Sequence, residues 1–415
     1  MGLTKGLFVA QKFTTASFVL LIFIGPILAL AIKGFSALLA LAGLLSTVAL
    51  VSQGKWLRLS QAKQHGASLA LLAWVSLSAI WSVHDDAGNK LVQLLLSIFL
   101  ATSLFLLFAQ LSDDEKAIWR RRISISIGLG LGLSLLLGPW HLYAPTLGEA
   151  VSSVLELTRQ VNRSLTIVAV LVFIYAGSLV KTRPRAAYAL LAVTTTVAFY
   201  SESQSAALAM TFGLLAIAMA RLSVAITRRL ILASFALSLL LIAPFSIRAF
   251  EQKWSDTYLP QAIQNTAAPN IRSWIYYVYS KEFLSTATYG RGLQSSRYFN
   301  PENLETYTKP CEQMLQVYSF CATALENQRV ASHAHNLFLQ ILFELGIVGG
   351  FLTLLALGKW LPRKQSENEI WQTGAWAAAM GTLMFSYNFW QAWLMASLLI
   401  CALCATMLLP DDAAG

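Results

Sequence analysis

Apolar runs of about 15–20 residues recur along the whole chain, each bounded by a short polar or basic stretch. In lipid such a run must be helical, because a helix satisfies its own backbone groups where no water can. The pattern predicts runs at about 16–32, 35–51, 68–82, 91–109, 123–138, 164–180, a pair hairpinning through Ser201-Glu202-Ser203, 230–245, 336–357 and two more toward the C-terminus. A long polar segment, about Arg248 to Ala334, separates the ninth run from the tenth, and a medium loop runs from Gly138-Pro139-Trp140 to Arg163. The predicted fold class is all-α: a polytopic membrane protein of about 12 transmembrane helices, divided into residues 1–247, a loop domain 248–334, and 335–415.

Basic residues punctuate every second loop. Lys5 and Lys12 precede the first run; Lys55, Arg58 and Lys63, then Lys116 with Arg120, Arg121 and Arg122, then Lys181, Arg183 and Arg185, then Arg221, Arg228 and Arg229, then Lys359, Arg363 and Lys364 follow at alternate turns. The positive-inside rule places that side, with both termini, in the cytoplasm, and the long segment outside. No small-residue cleavage pattern follows the first apolar run, which is read as a retained helix. The long segment mixes both signs of charge with aromatics and with Pro260, Pro269, Pro301 and Pro310, the composition of a small folded lid. Within it Asn270 is placed to cap a helix whose Ile271, Trp274, Ile275, Val278 and Phe283 recur at helical spacing, with Arg272 on its flank. Tyr289-Gly290-Arg291-Gly292 reads as a tight turn.

Composition narrows the class. Hydrophobic residues make up 56% of 415 and charged residues 12%, which excludes an ordinary soluble domain and makes the phospholipid bilayer the solvent. The net charge of +10 is distributed among helix ends, not gathered on one soluble face, so nucleic acid is not an expected partner. Cys401 and Cys404 lie in the last apolar run as small hydrophobes; Cys311 and Cys321 lie in the outer segment, where oxidising conditions allow a disulfide.

Candidate chemistry gathers where the long segment meets the tenth run, at Ser332-His333-Ala334-His335-Asn336-Leu337. Unpaired amides and the dipole of a helix start disfavour an imidazolium, so His335 is expected to be a free base able to take a proton from an attacking hydroxyl; the simpler role is to anchor the helix at the interface. His333 completes a His-x-His pair, but no third ligand is spaced to join it, and no metal or other cofactor is expected. Arg159 and Arg163, four apart, share a helix face at the outer mouth of the sixth run, suited either to gripping phosphate or to snorkelling toward headgroups. Arg272 has the same two readings. Arg291, between two glycines, either presents itself with backbone amides to an anion or only turns the chain. Gly346, Gly349 and Gly350 read as positions of close helix packing.

His335-Asn336, nine residues, Gly346, two residues and Gly349 resemble the His-[Asn/Ser/Gln]-x9-Gly-x2-[Gly/Thr/Tyr] signature of the superfamily of O-antigen ligases, O-antigen polymerases and bacterial protein O-oligosaccharyltransferases. Arg272-Ser273-Trp274 and Gly290-Arg291-Gly292 are similar to that superfamily's outer-loop sequence, and the architecture matches too. The resemblance implies a GT-C-like, metal-independent glycosyltransferase of the bacterial inner membrane, acting on its periplasmic side; a single base with direct displacement by the hydroxyl predicts inversion of the anomeric centre. The donor would be an undecaprenyl-diphosphate-linked O-antigen. Arg163 and Arg272, with Arg159 and Arg291 in support, would hold its diphosphate, and His335, aided by His333 and Asn336, would activate the acceptor hydroxyl. One large outer loop and a short tail favour the ligase, with lipid A-core as acceptor, over the polymerase or the protein transferase. From another class, a lipid-linked glycan transporter would show buried charge and broken helices; the charges here are read at helix ends.

Overall fold

The computed structural model describes residues 2–53, 66–138, 151–252, 267–308 and 322–409, except 202, 298, 302–303, 325, 328–329, 332 and 386–387. The expected disulfide of Cys311 and Cys321 lies outside them. Among the described residues are fifteen α-helices: α1 (Gly2–Leu21), α2 (Ile24–Leu30), α3 (Phe35–Ser52), α4 (Gly66–Ser78), α5 (Ala87–Ala109), α6 (Asp113–Leu137), α7 (Val151–Val180), α8 (Pro184–Tyr200), α9 (Gln204–Leu222), α10 (Val224–Glu251), α11 (Ala267–Ser285), α12 (Leu304–Thr308), α13 (Leu337–Trp360), α14 (Glu367–Phe385) and α15 (Ala392–Leu408).

Seven helical stretches are long and apolar enough to cross a bilayer: Val9–Leu30, Ile32–Ser52, Ala87–Ala109, Thr158–Val180, Gln204–Leu222, Val224–Glu251 and Leu337–Trp360. The architecture is thus that of a multi-pass helical membrane protein. The other expected runs are helical as well, but α4 and α15 have only 13 and 17 residues. At 1.5 Å per residue α4 rises about 20 Å, short of a hydrocarbon core of about 30 Å.

Several boundaries move for identifiable reasons. The first run begins at Gly2 and breaks between Leu21 and Ile24. Pro26 has no N–H to reach the Ile22 carbonyl four residues back, and that carbonyl instead accepts from Ser126 Oγ, which in turn accepts from Gly25 N at 3.0 Å. α6 starts at a capping box in which Ser112 Oγ accepts from Glu115 N and Ser112 N donates to the Glu115 carboxylate. α7 absorbs part of the medium loop, so Arg159 and Arg163 do lie on one helix. α11 starts at Ala267, which puts Asn270 inside the helix, not at its cap.

The described part of the long polar segment packs against the spans. Trp274, Ile275, Val278, Tyr279 and Phe283 of α11 form one apolar cluster with Phe250 of α10 and with Leu339, Leu342 and Phe343 of α13. The predicted face of α11 is buried against the ends of two spanning helices, and this contact brings Arg272 toward His335.

Candidate active site at the N-terminal end of α13

Asn336 caps α13, its Oδ1 accepting from Leu339 N at 3.1 Å, so His335 stands just before the helix, not in its first turn. Its backbone is left-handed, with φ 53, a conformation few non-glycine residues adopt and one that histidine tolerates better than most. Two neighbours hold it there. Tyr276 Oη of α11 donates to the His335 carbonyl at 3.0 Å, and the buried His333 ring lies with its centroid 3.8 Å from that of His335. Burial, the His333 ring and the Arg272 guanidinium together pull the imidazole down to about 3. The shift runs in the direction expected, with burial as its first cause and adjacent charge after it, whereas the sequence reading relied on the helix dipole.

Arg272 leaves α11 on the side of His335, and its Nη1 donates to Gln204 Oε1 at 3.0 Å. Gln204 opens α9, whose cap Ser203 touches the Asn162 carbonyl and Thr166 Oγ1 of α7 at 3.3 and 3.4 Å. Four elements therefore converge at one level: α7 with Arg163, α9 with Gln204, α11 with Arg272, and the chain leading into α13 with His335. Arg163 lies over the Trp393 ring of α15 at 5.9 Å, and its buried Nη1 makes no hydrogen bond among the described residues. The nearest acid is Glu156, and it is shared: Lys33, Arg159 and Arg163 lie 3.6, 3.8 and 3.9 Å from its oxygens. A hydrogen bond from Gln160, then Lys33 and Arg163, keeps the Glu156 carboxyl below its ordinary value. Three cations against one exposed carboxylate leave a positive excess, and exposed pairs of this kind bind one another weakly.

Arg291 is placed elsewhere. Its guanidinium is bonded to Glu282, lies 3.3 Å from Ser285 Oγ, and covers the Phe299 and Phe343 rings. Nor do the turn's amides face an anion. α13 is broken at Gly346 (φ 68, ψ −172), and the 287–292 loop supplies the groups that the break would orphan. Arg291 N and Gly292 N donate to the carbonyls of Phe343 and Glu344, at 2.8 and 2.9 Å; Ile347 N and Val348 N donate to the carbonyls of Ala287 and Thr288, at 2.8 and 3.2 Å. Trp74 Nε1 of α4 takes the Leu345 carbonyl at 2.9 Å. A Cβ on Gly346 would sit 2.3 Å from the Thr288 oxygen, and one on Gly290 2.5 Å from the Glu344 oxygen. Both glycines thus serve contact between a loop and a helix, not between two helices.

Below the cluster, α4, α7, α13, α14 and α15, with Phe105 of α5 and Phe235 of α10, border a half-open chamber of about 550 Å³. Its walls are mostly apolar, with Val75, Phe235, Ile341, Met380 and Leu398 among them, and among the described residues its one charged wall residue is Glu344. Leu337, two residues past His335, and Trp390, three before Trp393, also line it, so the segments that build the cluster above border the chamber too. An apolar pocket of this size suits hydrocarbon.

Two residues escaped the sequence reading although both were visible in it. Lys33 is a lone base between the first two apolar runs, on the side otherwise poor in bases. Glu344 is a lone acid inside an apolar run, which contradicts the reading that charges lie only at helix ends; a buried acid at that depth is a functional signal by default. Comparison with known protein families, curated proteins and solved structures returned no match.

Proposed function

We propose that this chain is a glycosyltransferase that moves a glycan from a polyprenyl-diphosphate carrier to a hydroxyl of an acceptor at the outer membrane surface. Within the superfamily it resembles, an O-antigen ligase acting on lipid A-core in the bacterial inner membrane, with about twelve spans and both termini cytoplasmic, is the reading we favour. The observation that carries the proposal is the convergence of a partly buried, conformationally constrained His335 with Arg272, beside a cation-rich mouth and above an apolar chamber.

In this mechanism the acceptor hydroxyl attacks the anomeric carbon as His335 takes its proton; the new C–O bond forms while the bond to the diphosphate oxygen breaks. The negative charge then gathers on the diphosphate, where the guanidinium forks of Arg272 and Arg163 stabilise it. Attack opposite the leaving group inverts the anomeric centre. The carrier's hydrocarbon chain would run into the chamber behind α13. A base held near pH 3 is weak, yet one of the charges that depresses it is Arg272, and an anionic diphosphate placed there offsets that charge. Donor binding would thus relieve the part of the depression that Arg272 causes, while burial, its first cause, stays.

The break at Gly346 and the buried Glu344 also favour a second reading, a transporter of lipid-linked glycans, because such helices in transporters hold substrate or ions. Here the loop occupies the broken ends with four backbone hydrogen bonds, which suits a fixed joint better than an ion site. Reconstitution separates the two. Purified protein with undecaprenyl-diphosphate glycan and EDTA is given lipid A-core, a second donor or a pilin-like protein. Product on lipid A-core is expected; a lengthened lipid-linked glycan or glycosylated protein would reassign the chain within the superfamily. Movement of donor across vesicles without any new glycosidic bond would establish the transporter.

A further inference from the structure

α11 and the N-terminal part of α13 are joined by a polar ladder. Arg272, Tyr276 and Tyr279 are spaced by four and three residues and so share one face of α11. Arg272 acts on the His335 imidazole at the top, and Tyr276 Oη donates to the His335 carbonyl below it. At the foot, Tyr279 Oη donates to the Ser296 carbonyl at 2.6 Å, and Ser296 Oγ donates to the Glu344 carboxylate.

Glu344 is fully buried and has no cationic partner among the described residues. Four donors converge on it instead: Gln294 N at 2.9 Å and Ser296 Oγ from the loop, Gln340 Nε2 at 3.0 Å from its own helix, and Trp390 Nε1 from the turn before α15. A carboxylate offers about four acceptor positions, and all are used. Gln294 shares with His335 a left-handed backbone unusual for a non-glycine residue, φ 62, and its N–H is the one Glu344 holds. Since α11 runs at Ser285 straight into this loop, whatever fixes the loop on α13 also fixes α11.

We propose that Glu344 is the positioning residue of the site, holding the 294–296 loop on α13 so that the face of α11 bearing Arg272 stays in register with His335. Its consequence for turnover rests on the proposed glycosyl transfer; its consequence for His335 does not. Removing the carboxylate strands the loop donors in a dry interior, where an unmet hydrogen bond is costly, and lets the foot of the ladder slip.

The test reads His335 directly. The groups facing it are His333, Arg272 and the Tyr276 hydroxyl at its carbonyl. The full chain in nanodiscs is treated with diethyl pyrocarbonate across pH, and modification of His335 is counted by peptide mass spectrometry. In the native chain the imidazole should stay reactive at pH values of about 5, well below the ordinary histidine value. In Glu344→Gln, Arg272 moves off and water enters, so reactivity should fall between about pH 7 and 5, with kcat for transfer down about tenfold or more. Ser296→Ala removes one donor and keeps the carboxylate; it should shift the profile the same way by less, and it carries the test if Glu344→Gln does not fold. An unchanged His335 profile in the folded variants would overturn the positioning role, whatever happens to turnover. A shifted profile in a chain that transfers no glycan to any acceptor would support the role and overturn the glycosyltransferase reading.

Discussion

The mouth around His335, just before α13, and the joint around Gly346 within it lie about three helical turns apart, and they treat charge in opposite ways. At the joint each charged side chain is met within the protein: Arg291 by Glu282, and Glu344 by four donors. At the mouth Arg272 meets only a neutral amide among its described partners, and Lys33, Arg159 and Arg163 share Glu156. Met charge is what a structural element requires; surplus charge of one sign facing water is what an anionic ligand can use. The contrast separates two arginines that motif reading treats alike. Arg272 is available to a ligand, whereas Arg291 is committed to the joint.

The contrast fails most visibly if the mouth is inert. His335→Asn is the sharpest variant, because asparagine tolerates a positive φ and the backbone can stay as it is while the base is lost. Transfer should fall about 10²- to 10⁴-fold, the usual contribution of a general base, with donor binding retained. Single-turnover transfer and equilibrium donor binding, measured on one preparation, check both halves; near-normal transfer would remove His335 as the base.

The joint is next in size and should act on stability. Gly346→Ala forces a side chain into a backbone region that is nearly glycine-only and against the Thr288 carbonyl. A loss of about 1–3 kcal/mol from the conformation alone is expected, more once the contact is included, read as a lowered unfolding temperature in detergent. Gly358→Ala, on the same helix but at an ordinary φ and with a Cβ that would meet nothing nearer than 3.8 Å, lacks both penalties; equal losses would mean that the positive φ and the loop contact at Gly346 are not what matters.

Apolar run length is a property of consecutive residues, so the helices of the spans were legible, as was the spacing that puts Arg159 and Arg163 on one face. The joint was not. Its hydrogen bonds link residues 287–292 to 343–348, and no periodicity encodes a pairing between segments so far apart. The same glycines therefore read as a turn and as helix packing when they are two halves of one contact. The left-handed backbone of His335 was equally hidden, because helical phase says nothing of the φ before a cap. Glu344 and Lys33 differ: each was a single charge in the wrong neighbourhood and could have been read as one.

Arg272→Lys tests the mouth at a finer level. Lysine keeps the charge but loses the planar fork, so a diphosphate held by two parallel bonds should bind about tenfold more weakly, while simple attraction to headgroups would hardly change. Donor KM is the measurement, and a KM equal to that of the native chain would reduce Arg272 to a point charge.

The smallest expected effect has the least obvious sign. Glu156 is exposed and already ionised, so Glu156→Gln should leave the unfolding temperature unchanged. If its role is only to share three cations, removing its charge leaves them freer for an anion, and donor affinity should rise about twofold to threefold at low salt, with the gain fading as salt screens it. Titration of donor binding at two ionic strengths reads this. If affinity instead falls, Glu156 is orienting Arg163 rather than competing for it, and the mouth would be a built site like the joint, differing from it only in being exposed to water.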